Sequence, residues 1–216
     1  YHSGHSRPLF PGAWNNQAAS QQSPARCSRV PLKGVSRYQE VYSLIKTEKF
    51  TKDERKESNM SLSTFVSTAE AQEGNGGSTY QNWYGSNGAW CAMFISWCAD
   101  QADILTQESS ASYPLVYKTA SVTTMRTWYS DNRRAFAISA SPTSGNYPQV
   151  GDLVTIRPTS TGVDHGHIGI VVATNGNKIT TIEGNTAGKV KRVEYTDLFR
   201  AGYGTLQWVL SNHTSW

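Results

Sequence analysis

The chain has 216 residues, 38% of them apolar and 11% aromatic, enough for one sizeable core with an extension. Its formal charge of +4 is unevenly held: residues 1–59 carry ten Lys/Arg against five Asp/Glu, and residues 60–216 ten against eleven. A near-neutral main body argues against a nucleic-acid surface there, no stretch approaches the roughly 18 apolar residues of a membrane span, and three cysteines, at 27, 91 and 98, are too few for a disulfide framework.

Residues 1–59 differ in kind from the rest. Ser, Gln, Arg and Pro follow one another loosely over Gln17–Ser28, and a charged stretch runs over Lys46–Glu57. Only Tyr38–Ile45 fits a short helix, so the segment is expected to be a poorly ordered basic extension. Met60 follows directly and fits a natural start, with 60–216 as the domain. The first residues are polar and lack the apolar run of a signal peptide.

A first helix is predicted over Ser61–Glu73, capped by Ser61 or Ser63, with Leu62, Phe65, Val66 and Ala69 as its apolar stripe. Gly74–Gly88 is predicted as a Gly/Asn-rich loop carrying Tyr80, Trp83 and Tyr84. Trp90–Ala102 has the strongest helical pattern, with Cys91, Phe94, Ile95, Cys98 and Ala102 on one buried face. Seven residues of helix rise about 10 Å, beyond disulfide reach, so Cys91 and Cys98 are expected as free thiols. Val122–Tyr129 fits another helix and Ser139–Asn146 a loop. From Val150 the pattern turns to short β-branched runs at Asp152–Arg157, His167–Ala173, Lys178–Glu183 and Val190–Tyr195, with Trp208–Leu210 as a last one. Helices first and strands second predict an α+β fold with an antiparallel sheet.

Cys91 stands where a glycine-rich loop enters a helix. The partial positive charge and free N–H groups of a helix N-terminus favour a thiolate and offer donors to an oxyanion. Taken alone, a cysteine on an apolar helix face is more often an inert core residue. His167 changes that balance. It opens the run His-Ile-Gly-Ile-Val-Val, which leads into the turn Asn175-Gly176-Asn177 and back through Lys178–Glu183. If those three residues form the loop, opposed positions sum to 352. His167 then faces Asn185, and Glu183 lies one pair further on the same face. A two-residue loop alone would put His167 and Glu183 on opposite faces, so the pairing needs an odd-length loop or a bulge. A carboxylate and an amide beside an imidazole would fix its tautomer and orientation.

The run Trp90-Cys91-Ala92-Met93-Phe94-Ile95-Ser96-Trp97-Cys98 resembles the nucleophile helix of CHAP domains, the cysteine, histidine-dependent amidohydrolases/peptidases. Pro148-Gln149-Val150-Gly151-Asp152-Leu153-Val154 is similar to the strand before their histidine, Gly166-His167-Ile168-Gly169-Ile170-Val171 to the histidine strand, and Ile182-Glu183-Gly184-Asn185 to the closing Glu-x-Asn element. The resemblance covers roughly residues 62–210. It implies a papain-like α+β fold with N-terminal helices packed on an antiparallel sheet. It also implies hydrolysis of bacterial peptidoglycan, as an amidase or an endopeptidase of stem peptides and cross-bridges, at the cell wall and outside the cell. Carried over residue by residue, Cys91 is the nucleophile, His167 the general base and later acid, Glu183 the group that orients His167, and Asn185 an auxiliary polar group.

Other residues stand beside these. Trp90 and Tyr84 flank the nucleophile and would either line a substrate groove or wedge the loop against the core. Asp164 and His165 are expected at the mouth of the site or in a solvated loop, with His167 preferred over His165 because the Ile-Gly-Ile-Val run follows it. Cys98 is expected to be buried and inert, and Cys27 to have no role. Some members of the family bind calcium before the nucleophile through clustered Asp; Gly74–Gly88 contains none, and no CxxC or HExxH spacing suggests zinc, so no metal and no cofactor are expected. The chain is expected to act as a monomer. An NlpC-type endopeptidase would place its third polar group closer to the histidine. A wall-binding or virion structural module that keeps the fold without turnover is the alternative of a different class.

Overall fold

The computed structural model describes residues 52–109, 113–138, 147–158, 160–164, 166–176, 178–196, 200–201 and 204–213, all within one compact unit, Lys46–Trp216. The expectations for residues 1–51, Cys27 and most of the basic extension among them, lie outside the described residues, as do those for His165 and Ser139–Asn146. In chain order the elements are helices α1 (Lys52–Glu70) and α2 (Ser78–Tyr84), then α3 (Cys91–Gln101), the short strands β1 (Leu105–Thr106) and β2 (Val116–Tyr117), α4 (Val122–Asp131) and β3 (Ala135–Ala137). The strand-rich half follows: β4 (Leu153–Pro158), β5 (His167–Asn175), β6 (Lys178–Thr186), β7 (Lys189–Tyr195), β8 (Arg200–Ala201) and β9 (Gly204–Leu210). The mixture of helices with an antiparallel sheet is the α+β architecture read from the sequence. Its main sheet runs β3-β9-β4-β5-β6-β7, with β8 paired to β9, while β1 and β2 form a separate parallel pair.

Alternation sorts the sheet residues onto two faces. Leu153, Ile168, Ile170, Ile182, Val190 and Leu210 pack in one core with the helices, around Phe94, Ile95, Cys98 and Phe65. Val154, Ile156, Val171, Ile179, Tyr195 and Leu206 form a second core on the other face. α3 is apolar nearly all round: eight of its eleven residues, Cys91 through Ser96 with Cys98 and Ala99, are buried. Such a helix belongs in the middle of a molecule.

Two helices differ from their sequence reading. α1 begins at Lys52, upstream of Met60, and Ser63 bonds back to the Met60 carbonyl at 2.8 Å instead of capping the helix. The charged stretch before Met60 therefore supplies helix-forming Lys and Glu rather than a boundary. Within the predicted loop, Ser78–Tyr84 forms helix α2, closed by Gly85 at φ 83, the left-handed cap that glycine fits best. Tyr80 is buried there, stacked on Trp90 with ring centroids 5.3 Å apart.

Two buried ionic groups hold the frame. Asp152 accepts the Gln149 amide at 2.8 Å and the Asn212 amide at 2.9 Å, and its burial pushes its pKa up to about 6 against those lowering bonds. Arg134, 1% exposed, donates to Ser211 O at 2.9 Å and Asn212 Oδ1 at 2.8 Å, and its guanidinium lies 4.2 Å from the Tyr113 ring and 4.7 Å from the Tyr129 ring. Together they fasten the segment after β9 to the start of β4. At the surface, Arg192 of β7 pairs with Glu70 at 3.0 Å and Glu73 at 3.3 Å; such exposed pairs add little stability.

The close approach of β6 to α3 depends on Gly184. A Cβ there would stand 2.6 Å from Phe94 Cβ and 2.9 Å from Trp90 Cζ3. Gly184→Ala should lower stability by about 1–3 kcal/mol through overpacking. Gly76→Ala, where an added Cβ meets nothing within 4 Å, should change it little. Urea unfolding of the two variants checks this, and equal midpoints would remove the tight contact from the account.

Candidate active site

The site is built where β5 and β6 begin and end beside the first turn of α3. Cys91 is the first residue of that helix, and its N-cap, Trp90, makes no side-chain capping bond. The first-turn N–H groups are therefore not satisfied by a side-chain cap. Cys91 is 5% exposed, and it lies near enough to the His167 ring to help raise that ring's pKa.

The β5–β6 register explains why His167 and Glu183 meet. Asn175 pairs with Lys178, which makes the connection two residues long rather than three, and the register shifts between Val171 and Ala173. Asn175↔Lys178 and Thr174↔Ile179 belong to one register; Val171↔Thr181 and Ile170↔Ile182, beyond the bulge, belong to the next. The extra residue in β5 turns His167 onto the face of Glu183. Their separation is then a hydrogen bond: His167 Nε2 to Glu183 Oε2 is 2.9 Å. Gly169 leaves the room for it, since a Cβ at that position would stand 2.7 Å from Glu183 Cγ.

Glu183 is wholly buried, and among the described residues four donors reach its two oxygens. Oε1 accepts from Thr181 Oγ1 at 2.7 Å and Tyr195 OH at 2.8 Å, while Oε2 accepts from His167 and from Thr186 Oγ1 at 3.3 Å. Four donors match the lone pairs of an ionised carboxylate, which can only accept. His167 Nε2 therefore carries a proton. Thr186 Oγ1, 3.2 Å from the same nitrogen, spends its own proton on Glu183. The nitrogen left to exchange a proton with the Cys91 thiol is Nδ1. Burial works against an imidazolium at His167, but the hydrogen bonds to Cys91 and Glu183 and the charge of both partners outweigh it, and its pKa is raised to about 10. The arrangement can thus hold a proton on the ring at neutral pH and deliver it to a leaving group.

The other residues singled out from the sequence fall in different places. Asn185 sits at φ 63 in the irregular stretch between Glu183 and Thr186, a conformation that Asn tolerates. It lines a cavity of about 470 Å³ with Pro158, Thr161, Gly166, His167 and Lys191. The hydroxyl at His167 Nε2 comes from Thr186 instead. Of the two places expected for Trp90, a groove or a wedge, the structure has the second: at 5% exposure it stacks on Tyr80, and an added Cβ at Gly77 would collide with its indole. It wedges the loop against the core. Tyr84 is half-buried beside Trp83, with ring centroids 6.2 Å apart. Asp164 is exposed, accepts from Gln207 Nε2 at 2.8 Å and pairs with Arg157 at 3.5 Å, and His165 lies outside the described residues. Cys98 is fully buried and its thiol is pushed well above the usual range by that burial. No group of three or more His, Cys, Asp or Glu able to hold a metal ion occurs among the described residues.

Sequence reasoning misses Thr181, Thr186 and Tyr195 as site residues. Each lies in a β-branched or aromatic run that strand propensity already explains, so composition gives them no separate signal. The signal available is parity: Thr181 precedes Glu183 by two, and Tyr195 pairs with Ile179 on β6, two residues before Thr181.

The CHAP domain family model matches residues 83–185, a span that holds Cys91, His167, Glu183 and Asn185. Among solved structures the chain is similar to Ly7917 with the hydrolyzing product of MDP, at 20% sequence identity and a TM-score of 0.41, over 70% of this chain and 63% of that one. Ly7917 by itself matches at 18% identity and a TM-score of 0.39, over 69% of this chain and 61% of that one. The chain therefore spans less than two thirds of the length of either. No curated protein matches it.

The imidazole should titrate near pH 10 when followed by NMR of the His167 ring protons. Glu183→Gln removes a raising partner and should bring the value down by a unit or more, towards the ordinary value of about 6.5. The folded-state pKa lies above the unfolded one, so this group's stabilisation is full below about pH 6.5, declines above it and is gone once the pH passes about 10. A ring that titrates near 6.5 in the unsubstituted protein would overturn the charge assignment.

Proposed function

We propose that this chain, through its CHAP domain, hydrolyses an amide bond in the stem peptide or cross-bridge of bacterial peptidoglycan, with Cys91 as nucleophile. The observation that carries the reading is the buried His167–Glu183 pair, 2.9 Å apart, with Cys91 near enough to the ring to raise its pKa and placed at the uncapped start of α3. The match of residues 83–185 to the CHAP domain supports the same chemistry. The papain-like form of the fold and action at the cell wall belong to this reading too.

In the first half-reaction, the Cys91 proton already rests on Nδ1 of His167, whose pKa is raised to about 10, and the Cys91 thiolate attacks the amide carbonyl. Charge grows on the carbonyl oxygen, where the first-turn N–H groups of α3 stabilise it. His167 then returns its proton to the leaving nitrogen, the C–N bond breaks and a thioester forms. In the second half, water gives a proton to Nδ1 as it attacks the thioester carbon. The C–S bond breaks, the acid product leaves and the sulfur departs as the thiolate beside a protonated ring. Glu183 holds the ring in place throughout and keeps the proton on Nε2, so that only Nδ1 cycles. Asn185 lines the cavity beside the ring and serves as an auxiliary polar group. No step requires a metal or an organic cofactor.

Cys91→Ala should abolish clearing of bacterial cell walls in a zymogram, and His167→Ala should lower the rate by about 10²–10⁴. Mass analysis of released muropeptides assigns the bond. Clearing by the Cys91→Ala protein equal to that of the unsubstituted chain would refute the nucleophile. Binding to walls without any clearing by either would favour the non-catalytic module.

A further inference from the structure

The cavity beside His167 has a one-sided chemistry. Its volume of about 470 Å³ falls in the range of small-ligand sites, about 300–1,000 Å³. Its polar lining residues are Ser160, Thr161, Asn185 and Thr186, together with His167 and Lys191. No Asp or Glu is among the described residues that line it. At neutral pH the two ionisable groups facing the space are thus an ammonium and an imidazole whose pKa is raised to about 10.

Lys191 is placed there by register, and no acid among the described residues pairs with it. It pairs with Glu183 across β6 and β7, yet the Glu183 carboxylate is taken up by His167, Thr181, Thr186 and Tyr195. Glu70 and Glu73 are engaged by Arg192, and Asp164 by Arg157 and Gln207. Lys191 itself is exposed and forms no ion pair among the described residues. A cation with donors around it, and no counter-ion among the described residues, is complementary to an anion.

We infer that this cavity selects a peptide residue bearing a free carboxylate, with Lys191 as its counter-ion, over the same peptide with that carboxyl amidated. The inference rests on the proposed peptide substrate and adds the charge state that substrate must have. Lys191 acts on specificity: it meets a carboxylate away from the bond being broken, and it discriminates through a lost ion pair when the amide form occupies the same place.

The test uses the full chain carrying Cys91→Ala, so that bound peptides are not consumed. The probes are two synthetic wall stem peptides that differ only in one side carboxyl, free in one and a carboxamide in the other. Isothermal titration at low salt should give a Kd about three- to tenfold lower for the free acid, as expected for a partly exposed ion pair. Adding Lys191→Gln should erase that difference, Lys191→Glu should reverse it, and 0.5 M salt should shrink it in the parent. Equal Kd values for the two peptides, no measurable binding of either, or a preference that survives Lys191→Gln would each overturn the inference. Failure of the unsubstituted chain to cleave cell walls would instead strike at the hydrolase reading beneath it, and the two failures are read from different experiments.

Discussion

The site rests on one buried carboxylate. Glu183 is fully withdrawn from water, and removing a charge from water is expensive unless its lone pairs are filled. They are filled by two threonines, a tyrosine and a histidine, drawn from three neighbouring strands. The requirement runs in both directions. The carboxylate needs these donors to be buried at all, and once satisfied it has no freedom to turn. His167 inherits that rigidity, because its Nε2 must stay where the acid is. Truncating Thr181 or Tyr195 would therefore disturb an imidazole ring that neither residue touches.

Around this centre, small residues make room where function needs proximity. Gly169 lets the acid lie across β5, and Gly184 lets β6 pass the first turn of α3. The bulge in β5 supplies the third adjustment. A regular two-residue hairpin would have been simpler to build, but it would have sent the histidine and the acid to opposite sides of the sheet. The irregularity is thus a functional part of the strand, placed a few residues from the histidine it re-aims.

Much of this is legible in the residues. The helical spacing from Cys91 to Cys98 and the β-branched runs after Val150 locate α3 and β4 through β7 to within a few residues. The face-matching of His167 with Glu183 can be posed from numbering alone, together with the condition that some irregularity must intervene. The turn length is harder to read, because Asn-Gly-Asn offers either a two- or a three-residue loop, and sequence does not say where a bulge will fall. Helix α2 is hidden by its flanking glycines. Ser78–Tyr84 carries too few apolar residues to show a period, and packing of Tyr80 on Trp90 secures it instead. Trp90 stays open in the sequence for a related reason: an indole beside a nucleophile looks the same there whether it faces outward or inward.

The two halves of the site are reached along very different lengths of chain. His167, Thr181, Glu183, Thr186 and Tyr195 lie on three consecutive antiparallel strands joined by tight connections. That portion can assemble from local hairpins at small entropic cost. The sulfur arrives on a helix far earlier in the chain, held down by aliphatic and aromatic packing against one face of those strands. A partial opening that lifts the helix would silence the thiol while the acid and ring stayed paired. In such a molecule reactivity towards an alkylating reagent would report on helix docking, and the chemical shift of the ring on the hairpins, so that a single active site carries two separate gauges of its own integrity.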